Sequence, residues 1–384
     1  MTIIFEQPSL RQRLRQVLAR FDATLLVAIT ALAALGLVAM YSAGFDHGSR
    51  VVDHGRNMLI ALVVMFAVAQ LPPQKMEGLA VPLYTIGVAL LVAVALFGLT
   101  RKGATRWLDL GIVIQPSEVM KVAMPLMLAW WFQKREGHLR ALDFAVATLL
   151  LVVPVALVIK QPDLGTALLI VAAGLYVIFF AGLSWRIVLP VAVLVAAGLV
   201  GLVLAQDEIC DSGMRLPLLR EYQQHRICTL LDPTRDPLGK GFHILQGMIA
   251  IGSGGLAGKG FMQGTQTHLE FIPERTTDFI FAAFCEEFGF VGVVLLLVAF
   301  SVLILRGLVI AADAPTVFSR LLAGAVTMGF FTYAFVNMGM VSGLLPVVGV
   351  PLPFVSYGGT AMVTLGMGLG ILMSVARSRQ LMRS

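Results

Sequence analysis

The spacing of the charged residues constrains this chain of 384 residues most, because it leaves uncharged runs of about 20 residues. A helix rises about 1.5 Å per residue, so each run is long enough to cross roughly 30 Å of hydrocarbon. Only 13% of the residues are charged, whereas about a quarter are charged in a typical soluble domain. The pattern predicts an all-α polytopic membrane protein and excludes a soluble fold.

About ten spanning helices are predicted, and their boundaries follow the apolar runs. The predicted spans are residues 22–43, 57–71, 79–99, 117–133, 142–159, 165–182, 185–205, 278–305, 317–342 and 358–376. The sequence contains no clear internal repeat and no low-complexity linker. Residues 1–384 are therefore predicted to form one membrane domain.

The distribution of Lys and Arg predicts the orientation of these spans. With the N-terminus inside, the inside segments carry fourteen Lys and Arg residues and the short outside loops carry six. Cytoplasmic loops are the basic ones, so both termini are predicted to be cytoplasmic and residues 206–277 extracytoplasmic. The net charge of +6 is explained by these topology signals, with no need for a nucleic-acid partner. The basic residues 1–20 either lie on the membrane surface or form a cytoplasmic tail ahead of an uncleaved first span.

The large extracytoplasmic loop, residues 206–277, is expected to be functional because loops of this length are uncommon. It contains Cys210 and Cys228, which are either disulfide-bonded or free thiols. It also contains the glycine-rich run GSGGLAGKG at 252–260, which fails the phosphate-loop pattern because Gly260 follows Lys259. Tight re-entrant turns, or turns that approach a lipid headgroup, are the expected use of this run, and no nucleotide is expected.

A carboxylate at the end of this loop is the leading candidate for chemistry. Thr277 is a suitable N-cap, which places Asp278 in the first turn of the eighth span at the membrane surface. A first-turn Asp also complements the helix dipole, so a structural role is the alternative. Glu286 and Glu287 follow on the same helix, and intramembrane carboxylates are expensive and usually functional.

Two further polar clusters open spans on the same outer side. Glu118 and Lys121 are three residues apart and face one side of the fourth span, either as a structural ion pair or as an anion site. Asp163 opens the sixth span as a helix cap or as a functional carboxylate. Arg106 precedes Trp107 and is either an interfacial anchor or a phosphate contact.

The apolar but proline-rich run LPVVGVPLPFVSYGG at 345–359 predicts a pocket lip, because irregular backbone at the membrane edge must pack inside protein.

These strings together resemble the SEDS family (shape, elongation, division, sporulation). They are GATRWLDLG, QPSEVMK, QPDLGTA, DPLGKGFH, GSGGLAGKG, IPERTTDFIF and LPVVGVPLPFVSYGGT, in this order along nearly the whole chain. The short tails and the last string are more similar to the cell-elongation branch, RodA, than to the division branch, FtsW. The chain departs from the family at Thr276, where His is frequent, and in the segment between Cys210 and Cys228.

The resemblance implies a peptidoglycan glycosyltransferase that polymerises lipid II on the outer face of the bacterial cytoplasmic membrane and releases undecaprenyl pyrophosphate. It implies a class B penicillin-binding protein transpeptidase and other elongation-machinery proteins as partners. A single displacement inverts the donor sugar and needs one base plus positive charge, unlike a glycoside hydrolase. A divalent cation, Mg or Mn, is expected, and no nucleotide. A lipid II flippase or a non-catalytic scaffold of the cell-wall machinery is the alternative function.

The family motifs also imply roles for single residues. Asp278 is the expected general base, or else the ligand of the divalent cation. The other expected substrate-binding or architectural residues are Glu118, Lys121, Asp163 and Glu270, with Arg106, Arg226, Lys240 and Lys259 as pyrophosphate contacts.

Overall fold

A computed structural model of the chain describes residues 21–46, 48–101, 104–109, 111, 113–211, 221–235, 239–272 and 274–383. The basic tail at residues 1–20 lies outside these residues. In chain order the elements are α1 (Ala23–Ala43), α2 (Gly48–Ala69), α3 (Pro73–Phe97), β1 (Leu99–Arg101), β2 (Ala104–Asp109), β3 (Val113–Ile114), α4 (Pro116–Gln133), α5 (Ala141–Lys160), α6 (Leu164–Phe180), α7 (Trp185–Leu204), α8 (Gln206–Asp211), α9 (Glu221–Leu231), a 3-10 turn (Pro233–Arg235), α10 (Lys240–Ser253), α11 (Thr265–His268), α12 (Ile280–Ala312), α13 (Val317–Val341) and α14 (Gly359–Arg383).

Ten long helices follow the ten predicted spans in order. In the described part of the chain, eight of them are long and apolar enough to cross a membrane. Of the other two, α6 is apolar but has 17 residues, and α4 has 18 residues and carries both Glu118 and Lys121. Helix α2 begins at Gly48, so the short predicted span at 57–71 extends toward its N-terminus. The chain is therefore a helical, multi-pass membrane protein.

The helices pack around two clusters of buried side chains. One cluster is built mainly from α1, α12, α13 and α14, and the other from α3, α4, α5 and α6. Helices α13 and α14 are the most buried spans, whereas none of the α7 span is buried. Helix α13 contributes buried side chains to both clusters and so packs between them.

Two features of the loops differ from the sequence expectation. A small antiparallel sheet, in the order β1-β2-β3, precedes α4 and was not predicted. It pairs Thr100 with Thr105 and Leu108 with Ile114. The predicted loop at 206–277 is largely helical, because α8 to α11 all lie within it. Short amphipathic helices of this kind give no long apolar run, so the hydropathy pattern does not reveal them.

Helix α12 is interrupted at Gly289, whose φ of 59° and ψ of −161° are accessible to glycine alone among common residues. The break leaves the N–H groups of Phe290 and Val291 without their helical partners. These two N–H groups donate to the carbonyls of Gly255 and Leu256, at 2.9 and 3.1 Å. The loop therefore replaces the hydrogen bonds that the helix lacks.

The same loop also satisfies the two carbonyls that the break exposes. The N–H groups of Lys259 and Gly260 donate to Glu286 O and Glu287 O, both at 3.0 Å. The glycines of GSGGLAGKG allow this approach, since a Cβ at Gly258 would lie 2.0 Å from Glu287 O. The run is a tight re-entrant turn built against a broken helix, which is one of the two uses expected from the sequence.

An ion pair at the other end of the bundle ties α1 to α12. Asp22 caps α1 and accepts hydrogen bonds from Arg306 Nε at 3.0 Å and Nη2 at 2.6 Å. Burial by itself raises the pKa of Asp22, but the hydrogen bonds from Arg306 and Leu25 N–H outweigh it and hold the pKa below 3.8. The pair therefore stabilises the folded state above pH 3.8, and this contribution is lost as the pH falls through the lowered pKa.

We expect Asp22→Asn to lower the free energy of unfolding by about 1–2 kcal/mol at neutral pH, discounted because the Arg306 side chain is one-third exposed. Asparagine keeps the helix cap, so the loss reports the ion pair. The measurement is thermal unfolding in detergent as a function of pH. The difference from wild type should persist down to about pH 4 and then shrink.

Asp53→Asn is the matched control, since Asp53 pairs with Arg56 at 3.0 Å on an exposed turn of α2 and should contribute little. An equal melting temperature for Asp22→Asn and wild type at neutral pH would remove the stabilising role of the pair.

Candidate active site

The candidate active site forms where two irregular segments meet, the turn at residues 274–279 and the connecting segment at residues 343–358 between α13 and α14. Tyr357 N–H donates to Thr276 O at 2.8 Å, and Ser356 Oγ donates to Thr277 O at 2.7 Å. Backbone carbonyls outside regular structure need such partners in an apolar environment. These contacts fix the turn against the connecting segment and so place Asp278 beside it.

Asp278 lies before α12 and not in its first turn, so the predicted cap was wrong. The helix begins at Ile280, its cap position is Phe279, and no side chain caps it. The hydroxyl of Thr277 donates instead to Glu274 Oε2 at 2.7 Å. The helix starts late because the carbonyls of residues 276 to 278 are bonded to α13 and to the connecting segment.

The carboxylate of Asp278 is partly exposed beneath the connecting segment. One neighbour there is Gly349, which is exposed and has a φ of 74°. A Cβ on Gly349 would lie 3.4 Å from Asp278 Oδ2. The segment that was predicted to form a pocket lip therefore lies next to Asp278.

Two arginines reach the two segments that frame Asp278. Arg50 Nη1 donates to Thr276 Oγ1 at 2.6 Å, and Arg226 Nη1 donates to Val347 O at 3.1 Å. Arg226 was an expected pyrophosphate contact. Arg50 was missed, because the sequence shows it only as one charge in a short loop. Together they bring positive charge to the turn that carries Asp278 and to the connecting segment next to it.

The expected residue Glu270 belongs to a neighbouring charge cluster. It lies 3.6 Å from Arg275 Nη2, has a φ of 60°, and its side chain is 62% exposed. Arg275 is itself buried, bonds Asp46 Oδ2 at 2.5 Å, and donates to Ala43 O at 3.0 Å. This arginine anchors the 274–279 turn to the end of α1, and the sequence pattern did not single it out.

The predicted pair of Glu118 and Lys121 is formed on α4. Lys121 Nζ lies 2.6 Å from Glu118 Oε1, and Thr364 Oγ1 on α14 donates to Glu118 Oε2 at 2.8 Å. Lys121 Nζ also lies 5.5 Å from the ring centroid of Tyr333 on α13. Lys121, Tyr333 and Thr364 help to line a largely apolar cavity of about 60 Å³ between α4, α6, α13 and α14. The pair thus joins three helices and borders a cavity.

The third predicted carboxylate, Asp163, caps α6. Its Oδ1 accepts from Thr166 N–H at 3.2 Å and lies 3.7 Å from Arg106 Nη1, while Gln115 Nε2 donates to Oδ2 at 3.2 Å. The capping role expected as one alternative is therefore present. Arg106 is held by this carboxylate and by Pro162 O at 3.1 Å, which fixes β2 against α6.

The glycine-rich turn carries a separate ion pair. Lys259 Nζ lies 2.7 Å from Glu286 Oε1 and donates to Thr265 Oγ1 at 2.7 Å. Glu286 is fully buried and also accepts from the N–H groups of Gln266 and Thr267. Lys259 thus holds the turn against α12. The side chain of Lys240, at the start of α10, lies outside the described residues.

The sulfurs of Cys210 and Cys228 are bonded to each other, which links α8 to α9. The described residues contain no group of three His, Cys, Asp or Glu side chains placed to hold a metal ion. The described side chains would therefore supply only a minority of the ligands of a cation at Asp278.

Comparison with known proteins identifies the family. The profile of the FtsW/RodA/SpoVE family, described as a cell cycle protein, matches residues 23–381. The chain is 48% identical over 363 residues to peptidoglycan glycosyltransferase MrdB of Escherichia coli (strain K12), which covers 94% of this chain and 95% of that protein. It is 31% identical to peptidoglycan glycosyltransferase RodA of Treponema pallidum (strain Nichols), over 94% of this chain and 98% of the relative.

Two solved structures are also similar. One, described as structural coordination of polymerization and crosslinking by a peptidoglycan synthase complex, superimposes with a TM-score of 0.76 at 34% identity, covering 94% of this chain and 98% of that chain. The crystal structure of the rod shape determining protein RodA from Thermus thermophilus gives 0.67 at 29% identity, with 94% and 97% covered. The motifs, the helices and these matches agree: the chain belongs to the FtsW/RodA/SpoVE family, which is the SEDS family that the sequence resembles.

Proposed function

We infer that this chain is a peptidoglycan glycosyltransferase of the cell-elongation type, which polymerises lipid II into glycan strands. The observation that carries this assignment is the partly exposed Asp278, which lies between a turn that Arg50 contacts and a connecting segment that Arg226 contacts. Relatives at 48% and 31% identity over most of the chain are named for this activity. Glu118, Asp163 and Asp278 lie at or just before the starts of helices, which favours an enzyme over a midplane transporter.

The reaction needs few protein groups because the donor carries its own leaving group. The hydroxyl of the acceptor sugar attacks the anomeric carbon, the bond from that carbon to the pyrophosphate oxygen breaks, and undecaprenyl pyrophosphate leaves. The proton of the attacking hydroxyl passes to Asp278, and the configuration inverts from α to β. Arg226 and Arg50 stabilise the negative charge that develops on the pyrophosphate.

Asp278 lies just ahead of α12 and not in its first turn. A helix N-terminus stabilises an ionised carboxylate and makes it a weaker base. Because α12 begins two residues later at Ile280, the carboxylate lies outside the helix itself. The backbone carbonyl of Asp278 accepts a hydrogen bond from Asn337 Nδ2 on α13 at 3.0 Å.

We place the site on the periplasmic face of the cytoplasmic membrane. The excess of Lys and Arg in the predicted inside loops supports this orientation. The bond between Cys210 and Cys228 fits it as well, since disulfides persist in oxidising compartments. Lipid-linked substrate would then reach Asp278 from the outer leaflet, and no nucleotide would be required.

A divalent cation, Mg or Mn, is proposed to accompany the lipid pyrophosphate. The described side chains supply no three-ligand site, and Mg²⁺ is usually held by one or two carboxylates together with substrate phosphates. Asp278 is the proposed protein ligand in the alternative mechanism, in which it orients the lipid pyrophosphate through the cation and does not act as the base.

A class B penicillin-binding protein is the proposed partner, because one similar structure is described as a complex that coordinates polymerization and crosslinking. Other elongation-machinery proteins are proposed on family likeness alone. A transpeptidase partner would crosslink the strands that this chain produces.

We expect Asp278→Asn to lower the initial rate of strand synthesis by at least about 100-fold, since a general base contributes 10²–10⁴. The measurement uses the purified chain in complex with its penicillin-binding partner, fluorescent lipid II and Mg²⁺, with strands separated on gels. Asp109→Asn is the matched control, because this exposed Asp accepts from Gly111 N–H at 3.0 Å, a bond that the Asn oxygen retains.

A wild-type rate of strand synthesis in both variants would reject Asp278 as the base and leave the polymerase activity supported. A folded wild-type complex that makes no strands would reject the polymerase and favour lipid translocation or a scaffold.

Chelation provides the test of the cation. We expect EDTA to abolish strand synthesis and Mg²⁺ or Mn²⁺ to restore it. Mn²⁺ binding, followed by electron paramagnetic resonance, should be weak for the protein alone and should strengthen when undecaprenyl pyrophosphate is added. Asp278→Asn should weaken the binding in the presence of lipid. Full activity in excess EDTA would eliminate the cation from the mechanism.

A further inference from the structure

Asn337 is a fully buried carboxamide near the C-terminal end of the apolar helix α13. A polar group in this position is costly unless its hydrogen bonds are made. Its neighbours on α13 are apolar or small, so the residue is not explained by its own helix. The cost therefore points to partners on other segments.

Both hydrogen-bond donors of Asn337 are used, and both reach irregular backbone. Nδ2 donates to Asp278 O at 3.0 Å and to Val350 O at 2.7 Å. Since two carbonyls face this atom, the nitrogen must be the one that points toward them, which fixes the orientation of the amide. Oδ1 is buried without a hydrogen-bond partner among the described residues.

These two carbonyls belong to the two segments that form the candidate active site. Asp278 provides the carboxylate, and Val350 follows Gly349, the residue that lies next to that carboxylate. One amide group therefore sets the separation between the backbone of Asp278 and the segment above it. That separation defines the space in which an acceptor sugar would meet the carboxylate.

The chemistry at this position selects asparagine. A primary amide carries two hydrogens on one nitrogen, which suits two carbonyls that converge on one point. Ionised aspartate offers only acceptors and would repel both carbonyls. Leucine has a similar size and offers no donor, and serine has a single donor on a shorter side chain.

We propose that Asn337 is a positioning residue for glycosyl transfer, which holds Asp278 and the connecting segment at the spacing that the reaction requires. This inference rests on the proposed function of Asp278. Asn337 itself touches no substrate. A displacement of about 1 Å in a reacting group costs roughly 100-fold in rate, so loss of this amide acts on turnover more than on binding.

The test compares Asn337→Leu and Asn337→Asp in the complex with the penicillin-binding partner. We expect kcat for strand synthesis to fall about 100-fold in Asn337→Leu, with KM for lipid II changed by less than about threefold. In Asn337→Asp, the rate relative to wild type should rise as the pH falls from 8 to 6, because a protonated carboxyl regains one donor. The relative rate of Asn337→Leu should stay constant over this range.

Thr332→Val is the matched control on the same helix. Thr332 is buried and bonds Tyr176 at 2.9 Å and Met328 O at 3.0 Å, so its loss weakens packing away from Asp278. We expect Thr332→Val to lower the melting temperature while kcat stays within about twofold. A purely structural role for Asn337 would give the same result as this control.

Each outcome decides the inference. A wild-type kcat in Asn337→Leu overturns the positioning role and leaves the polymerase activity supported. Failure of both Asn337 variants to assemble, when Thr332→Val assembles, assigns Asn337 to folding and also overturns it. If the rate of Asn337→Asp relative to wild type does not change with pH, residue 337 does not act as a hydrogen-bond donor in the reaction. Absence of strands from the wild-type complex rejects the proposed function instead.

Discussion

The structure depends on one constraint, which is that irregular backbone at the edge of a membrane must find its hydrogen bonds within the protein. The connecting segment at residues 343–358 meets this constraint by contact with elements distant in sequence. It bonds the 274–279 turn, Arg226 on α9 and Asn337 on α13. Its carbonyl at Phe354 also lies against Gly36 on α1, where a Cβ would be only 2.0 Å away. A single apolar segment thereby fixes the site.

Helix α13 connects the two polar regions of the interior. Tyr333 faces Lys121 and the small apolar cavity, and Asn337, one turn later, holds the backbone of Asp278. The ion pair of Glu118 and Lys121 contacts this helix and α14, while the cap at Asp163 ties the start of α6 to Gln115 and Arg106. The buried charges serve mainly to join helices, while Asp278 is partly exposed. This division of roles fits an enzyme whose substrate arrives from the lipid.

The sequence predicted the parts of this arrangement that depend on local pattern. Ten apolar runs predicted the ten long helices, and the spacing of Glu118 and Lys121 predicted their ion pair. The cap at Thr277 was wrong because tertiary hydrogen bonds to the 274–279 turn override local preference. Arg50 and Asn337 were missed, since their partners lie 226 and 59 residues away along the chain. Partners at such separations leave no periodic signal in a single sequence.

The break at Gly289 also has a consequence for how the protein is assembled during synthesis. The outer part of α12 cannot complete its main-chain bonding alone, because Phe290 and Val291 bond to residues 255 and 256. Those residues leave the ribosome before α12 does. The turn is therefore already translated when the helix enters the bilayer. The carbonyls that accept the hydrogen bonds of Phe290 and Val291 are thus synthesised before these two residues. Insertion of this helix thus requires contact with the turn as well as transfer of apolar side chains into the bilayer.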